Sequence, residues 1–178
     1  EVRRSPVPGP AAPQPSLEGA ALIPASSAIS ERSCLNATIW RPRHRSEPLP
    51  VLVFVHGGAN QYGSHAGDVI DGSRLAAAGL IVVSVQYRLG ALGFLALDHL
   101  MGMDYAESGS LAVHDIVAAL SWVQANIEQF GGDSRQVTLF GQSAGAALAA
   151  TVASSPLATG LVHRVALSSG TAERVLTK

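Results

Sequence analysis

Three short apolar runs constrain this chain more than anything else in it: Val51-Leu52-Val53-Phe54-Val55, Leu80-Ile81-Val82-Val83-Ser84-Val85 and Val137-Thr138-Leu139-Phe140. An unbroken run such as the first suits a strand buried on both faces, as in a parallel sheet, rather than the in–out alternation of a half-solvated strand. Helical stretches lie between and after them. Ser73 to Ala78 is Ala-rich and stops at Gly79. Leu111, Ile116, Val117, Leu120, Val123 and Ile127 follow helical spacing from Ser110, a plausible N-cap, to Gly131-Gly132. Ala144 to Ala153 is a third helix, while Thr38-Ile39-Trp40 and Arg164-Val165-Ala166-Leu167 add a first and a last strand. Tyr87 to Phe94 reads as a glycine-punctuated excursion and Ala96 to Ser108 as a loop. Strands and helices alternating with right-handed crossover lengths predict an α/β fold on a parallel sheet.

The first 29 residues hold six of the ten prolines, a density that blocks helix and central strand, so they read as an irregular surface segment of the same domain. Neither a repeat nor an inter-domain linker follows, and 178 residues suffice for one domain with a sizeable core. A formal net charge of −1 gives no reason to expect nucleic acid or an anionic membrane surface as partner, and no apolar run is long enough to span a bilayer. Cys34 is the only cysteine, which excludes an intrachain disulfide and a Cys-cluster metal site.

The chemistry concentrates at Gly141-Gln142-Ser143-Ala144-Gly145, a G-x-S-x-G directly after the third apolar run. A strand that turns sharply into a helix there would hold the Ser143 hydroxyl clear of the sheet and place the Ala144 amide at a helix N-terminus, where a developing oxyanion is stabilised. His56-Gly57-Gly58-Ala59 ends the first run and is a second source of backbone amides, its glycines letting a carbonyl substrate approach closely. Acyl transfer also needs a base and an acid to orient it. In such folds both follow the serine, acid before histidine. Only Glu173 and His163 follow Ser143, in the reverse order, while His44, His65, His99 and His114 precede it. The triad is therefore expected to be incomplete within these residues.

The runs Val51–Gly58, Tyr87-Arg88-Leu89-Gly90-Ala91-Leu92-Gly93-Phe94, and Phe130-Gly131-Gly132-Asp133 leading to Gly141–Gly145 together resemble the type-B carboxylesterases, from about Cys34 to Gly170. The resemblance implies an α/β-hydrolase fold over residues 30–178, with a mostly parallel sheet and helices on both faces. It implies Ser143 as nucleophile, the amides of Gly58, Ala59 and Ala144 as oxyanion hole, and Arg88 with Asp115 as a structural ion pair. No metal or cofactor is implied, and the partner is a small-molecule ester. Departures from the family pattern are Ala59 for a third glycine, Gln142 for a commoner glutamate, and Arg32 and an unmated Cys34 where a salt bridge and a disulfide are usual. No Trp precedes Trp40, so the aromatic platform of a choline-ester site is not expected. The chain stops less than half-way through a family member, so the acid, the histidine and later strands are expected beyond Lys178. The expectation is a serine ester hydrolase; the alternatives are a non-catalytic interaction protein on the same scaffold, or an inactive fragment.

Overall fold

The structure is a computed structural model that describes residues 8–15, 28–43, 47–67 and 70–172. Five strands form one sheet: β1 (Ala37–Trp40), β2 (Leu49–Val55), β3 (Ile81–Val85), β4 (Gly132–Gln142) and β5 (Arg164–Ser168), in the order β1-β3-β2-β4-β5. All neighbours run parallel except β1, which pairs antiparallel with β3. The sheet is thus mostly parallel, as expected, with a reversed edge strand. Arg41-Pro42 closes β1, since proline has no N–H to continue a ladder.

Register places Val53, Val83 and Leu139 on one face, and Leu52 with Val82 on the other. Helices α4 (Leu111–Asn126) and α5 (Ala144–Ser154) cover the first face. There Ile116, Leu120, Val123, Leu148 and Val152 join Val51, Val53, Val55, Val83, Val137 and Leu139 in a single core. Each fully buried Val, Leu or Ile in it contributes about 1.5–3 kcal/mol relative to exposure. The short α1 (Ser73–Ala77) lies against the opposite face, where Gly72 sits on the Trp40 ring and Val82. This layer is thinner. Leu52 and Phe54 are only half-buried, so β2 is sealed fully on one face, whereas every residue of β3 is buried.

The structure differs from the sequence reading in three places. Residues read as excursion and loop contain α2 (Gly90–Phe94), α3 (Asp98–Met101) and single 3₁₀ turns at Met103–Tyr105 and Ser108–Ser110. Leu100 and Met103 face solvent there, which is why no apolar period marked them. Ser110 occupies the N-cap position of α4, but its hydroxyl donates backwards to the Glu107 carbonyl (2.9 Å) instead of accepting from the helix. The described part of the proline-rich segment, residues 8–15, is irregular but not simply superficial, because Ala11 and Ala12 are fully buried. The Ala11 amide donates to the Ala28 carbonyl at 2.8 Å, and its own carbonyl accepts from Ser30 N–H at 3.1 Å. No helix among the described residues is long and apolar enough to cross a membrane.

Candidate active site

After β2 the chain leaves for α1 on one face, and after β4 for α5 on the other. Adjacent parallel strands whose continuations diverge leave a crevice at their carboxyl ends, the usual ligand position in open α/β sheets. Ser143 and residues 56–60 stand on its two rims.

Ser143 has φ 55° and ψ −123°, in the left-handed region that a side chain rarely adopts, at a cost of order 1–3 kcal/mol. The surroundings hold it there. Its N–H donates to the Ser168 carbonyl on β5 (2.7 Å), and its carbonyl accepts from Ala146 N–H (2.9 Å) and Ala147 N–H (3.2 Å) as α5 begins. A Cβ on Gly141 would meet the Gly145 carbonyl, and one on Gly145 would meet the carbonyls of Val55 and His56. Both glycines are therefore required for helix, strand and turn to close on one another. No hydrogen bond engages the Ser143 hydroxyl among the described residues.

The loop after β2 takes a run of unusual backbone: Gly58 at φ 119°, Ala59 at 53° and Asn60 at 61°. Gln61 N–H (2.9 Å) and Tyr62 N–H (3.1 Å) both donate to the Gly58 carbonyl and close the loop into a tight turn. The ideal Cβ position of Gly57 lies 2.8 Å from the Gln142 carbonyl and 3.1 Å from Ser143 Cβ, so the loop packs directly on the serine turn. The amides of Gly58, Ala59 and Ala144 donate to no described residue. Three uncommitted N–H groups thus flank the serine.

His56 stands next to this loop but is not poised as a base. It is fully buried, its ring stacks on Tyr87 with centroids 4.5 Å apart, and Nδ1 lies 2.7 Å from the Gly57 carbonyl. A carbonyl can only accept, so Nδ1 carries the proton, and Nε2 accepts from Gln86 Nε2 at 3.2 Å. Burial pushes its pKa down to about 4, keeping the ring neutral. The Tyr87 hydroxyl donates to the His56 carbonyl (2.8 Å), and burial raises the phenol pKa.

The other histidines lie elsewhere. His65 is buried against Thr38 and the Gly9 carbonyl, and burial lowers its pKa. His114 on α4 meets Glu107 at 3.2 Å, and His99 is exposed beside Asp98. His163 bonds Val137 through both backbone and ring, at the start of the β4–β5 pairing. At about 3.3 Å per residue, the stretch from Val137 to Ser143 spans roughly 20 Å. His44 and Glu173 lie outside the described residues. No described histidine hydrogen-bonds the Ser143 hydroxyl.

Arg88 and Asp115 meet behind the site. The guanidinium donates from Nη2 to Oδ1 (2.6 Å) and from Nε to Oδ2 (2.8 Å), and the Arg88 amide adds a bond to Oδ2 (2.9 Å). The carboxylate is nearly sealed at 3% exposure, against 29% for the arginine side chain, and its hydrogen bonds raise the Arg88 pKa further. The pair ties the chain after β3 to the second turn of α4. Cys34 is a buried free thiol whose pKa burial raises, so it is not a thiolate nucleophile. No group of metal-ligating side chains occurs among the described residues.

Sheet order, crossing helices and the strained serine turn define an α/β-hydrolase, and solved structures of that class superpose on the chain. A carboxylesterase from Geobacillus stearothermophilus matches with TM-score 0.83 and 41% identity, over 93% of this chain and 33% of its own. The Carboxylesterase family profile matches residues 2–177, and the chain belongs to that family. Among curated relatives, the para-nitrobenzyl esterase of Bacillus subtilis is 44% identical over 82% of this chain and 29% of its own length. Human carboxylesterase 5A is 47% identical over 81% and 24% respectively. The chain therefore spans about a quarter to a third of the length of these relatives.

Proposed function

We propose that the protein hydrolyses carboxylic esters of small molecules through an acyl-enzyme on Ser143. The observation that carries this reading is the juxtaposition of a strained, half-buried serine turn with three uncommitted amides. In the first step Ser143 Oγ attacks the ester carbonyl carbon while its proton passes to a base. The carbonyl oxygen becomes an oxyanion, which accepts from the N–H groups of Gly58, Ala59 and Ala144. Collapse expels the alcohol with a proton, and water then repeats the sequence to release the acid. Each amide donor is worth about 10²–10³ in kcat, because it is fixed before charge develops. The Arg88–Asp115 pair serves the architecture, holding α4 to the end of β3.

The base and its orienting acid belong, in this reading, to chain beyond Lys178. Two things support that: no described histidine hydrogen-bonds Ser143, and the relatives are roughly three times as long. Gln142 beside the nucleophile carries no negative charge, so neutral esters fit better than cationic ones. The test is hydrolysis of short p-nitrophenyl esters by the full-length protein and its Ser143→Ala variant. The expected loss in kcat is on the order of 10⁵–10⁶. Equal rates in the two would sink the proposal.

A further inference from the structure

Gln14, in the proline-rich segment, holds the turn that carries the free amides of Gly58 and Ala59. Its carboxamide makes the only side-chain pairing in the described residues that satisfies both backbone groups of one distant residue. Nε2 donates to the Gly63 carbonyl (3.0 Å) and Oε1 accepts from Gly63 N–H (2.8 Å), across 49 positions of sequence. A second Nε2 bond to the Ala12 carbonyl (2.9 Å) fixes the carboxamide to its own buried segment. Gly63 in turn sits at φ 124° over the His56 ring, where a Cβ would strike Nδ1. That nitrogen is the one that donates to the Gly57 carbonyl.

The same segment grips from a second point. Only an acceptor is available at the Gly9 carbonyl, so His65 Nε2 (3.3 Å) donates to it and Nδ1 accepts from the Thr38 hydroxyl (2.8 Å). The His65 amide then donates to Gln86 Oε1 (3.0 Å), and Gln86 Nε2 reaches His56 Nε2 (3.2 Å). Both ends of residues 56–65 are thus held by one polar chain that begins in residues 9–14.

We infer that Gln14 is a positioning residue for ester hydrolysis: its paired bonds to Gly63 fix the turn at residues 57–62, and so the aim of the Gly58 and Ala59 amides. This rests on the proposed function for its catalytic consequence, but the positioning is testable without it. The group acts through Gly63 and touches no substrate. Gln14→Met keeps the volume and deletes both bonds; Gln14→Glu keeps an acceptor for Gly63 N–H and loses the donor.

In the full-length protein we expect Gln14→Met to lower kcat about 10–100-fold, a fraction of what losing an oxyanion donor outright costs, with KM within about two-fold. Gln14→Glu falls between it and the parent. Hydrogen exchange supplies the independent readout. The Gln61 and Tyr62 amides, which Gln14 does not touch, should exchange at least about ten-fold faster in the variants, while amides of β3 do not change. Unchanged exchange at Gln61 and Tyr62 overturns the inference whether or not the parent cleaves esters, as does loosened exchange with unaltered kcat in an active parent. If Gln14→Met does not fold, Gln14→Glu decides by the same two readouts. An inactive parent whose Gln14 variants loosen the turn keeps the positioning and refutes the esterase reading.

Discussion

The middle of the sheet and its β5 edge are built from similar apolar residues and end in different environments. Val53 and Leu139 are fully buried, whereas Val165 and Leu167, on the same face of the same sheet, are 43% and 44% exposed. Yet both regions serve the serine. β2 and β4 place it by side-chain packing and by glycines that admit no Cβ; β5 places it with a single backbone carbonyl, that of Ser168. A strained turn can be finished by neighbours a few residues away in sequence or one strand away in space. A general base has to arrive on another loop. The contrast explains how the serine turn and the free amides beside it can be in place while no described histidine is.

The sharpest way to break the central region is at its ion pair. Arg88→Met strands a carboxylate that is 3% exposed, and should cost about 3–5 kcal/mol in denaturant unfolding. Activity should be retained where the protein stays folded; a cost below about 1 kcal/mol would mean that the pair is merely a surface contact. Next is a paired glycine test of centre against edge. Gly145→Ala drives a methyl group into two backbone carbonyls and should destabilise by about 3 kcal/mol. Gly160, in the connection entering β5, has φ 78° and open space around it, so Gly160→Ala should cost only about 1 kcal/mol of backbone strain. Equal effects at the two positions would erase the distinction.

The most gradual effect is a titration. His56 binds a proton near pH 6.5 when unfolded and only at about 4 when folded. Between those values the unfolded state holds more protons, so stability falls as pH falls, by up to about 1.4 kcal/mol per unit, and is regained above about 6.5. The pH dependence of the unfolding midpoint measures it. His56→Gln should flatten that slope; an unaltered slope would assign it to other groups, His65 first among them.

What could be read in advance follows the range of the interactions. The elbow is local: a strand, a glycine-flanked serine and a small-residue helix announce it in a dozen positions. The α4 helix is equally plain, because Ala112, Ile116, Leu120 and Val123 recur along one buried stripe. The direction of β1 was not legible, since the same Thr38-Ile39-Trp40 side chains pack in either orientation. The short helices at Gly90 and Asp98 carry no apolar stripe. The role of residues 8–15 was the main surprise. Prolines read as surface because they break regular structure, but a proline also has no N–H to satisfy. Such a segment can therefore lie on a core, with Ala11 and Ala12 beneath it, at little cost in unpaired donors. Nothing at Gln14 in the sequence itself announced a partner 49 residues away.

The proposed ester hydrolysis needs Ser143 as nucleophile and a base supplied from outside these 178 residues. Covalent labelling by a fluorophosphonate probe, located by intact mass and peptide mapping, tests it directly on this chain and on the full-length protein. Labelling is expected at Ser143 in the full-length protein and is not expected in the 178-residue chain. Labelling at the same rate in both would place the base within this chain, and labelling of the full-length protein at a residue other than Ser143 would rule out the proposed nucleophile.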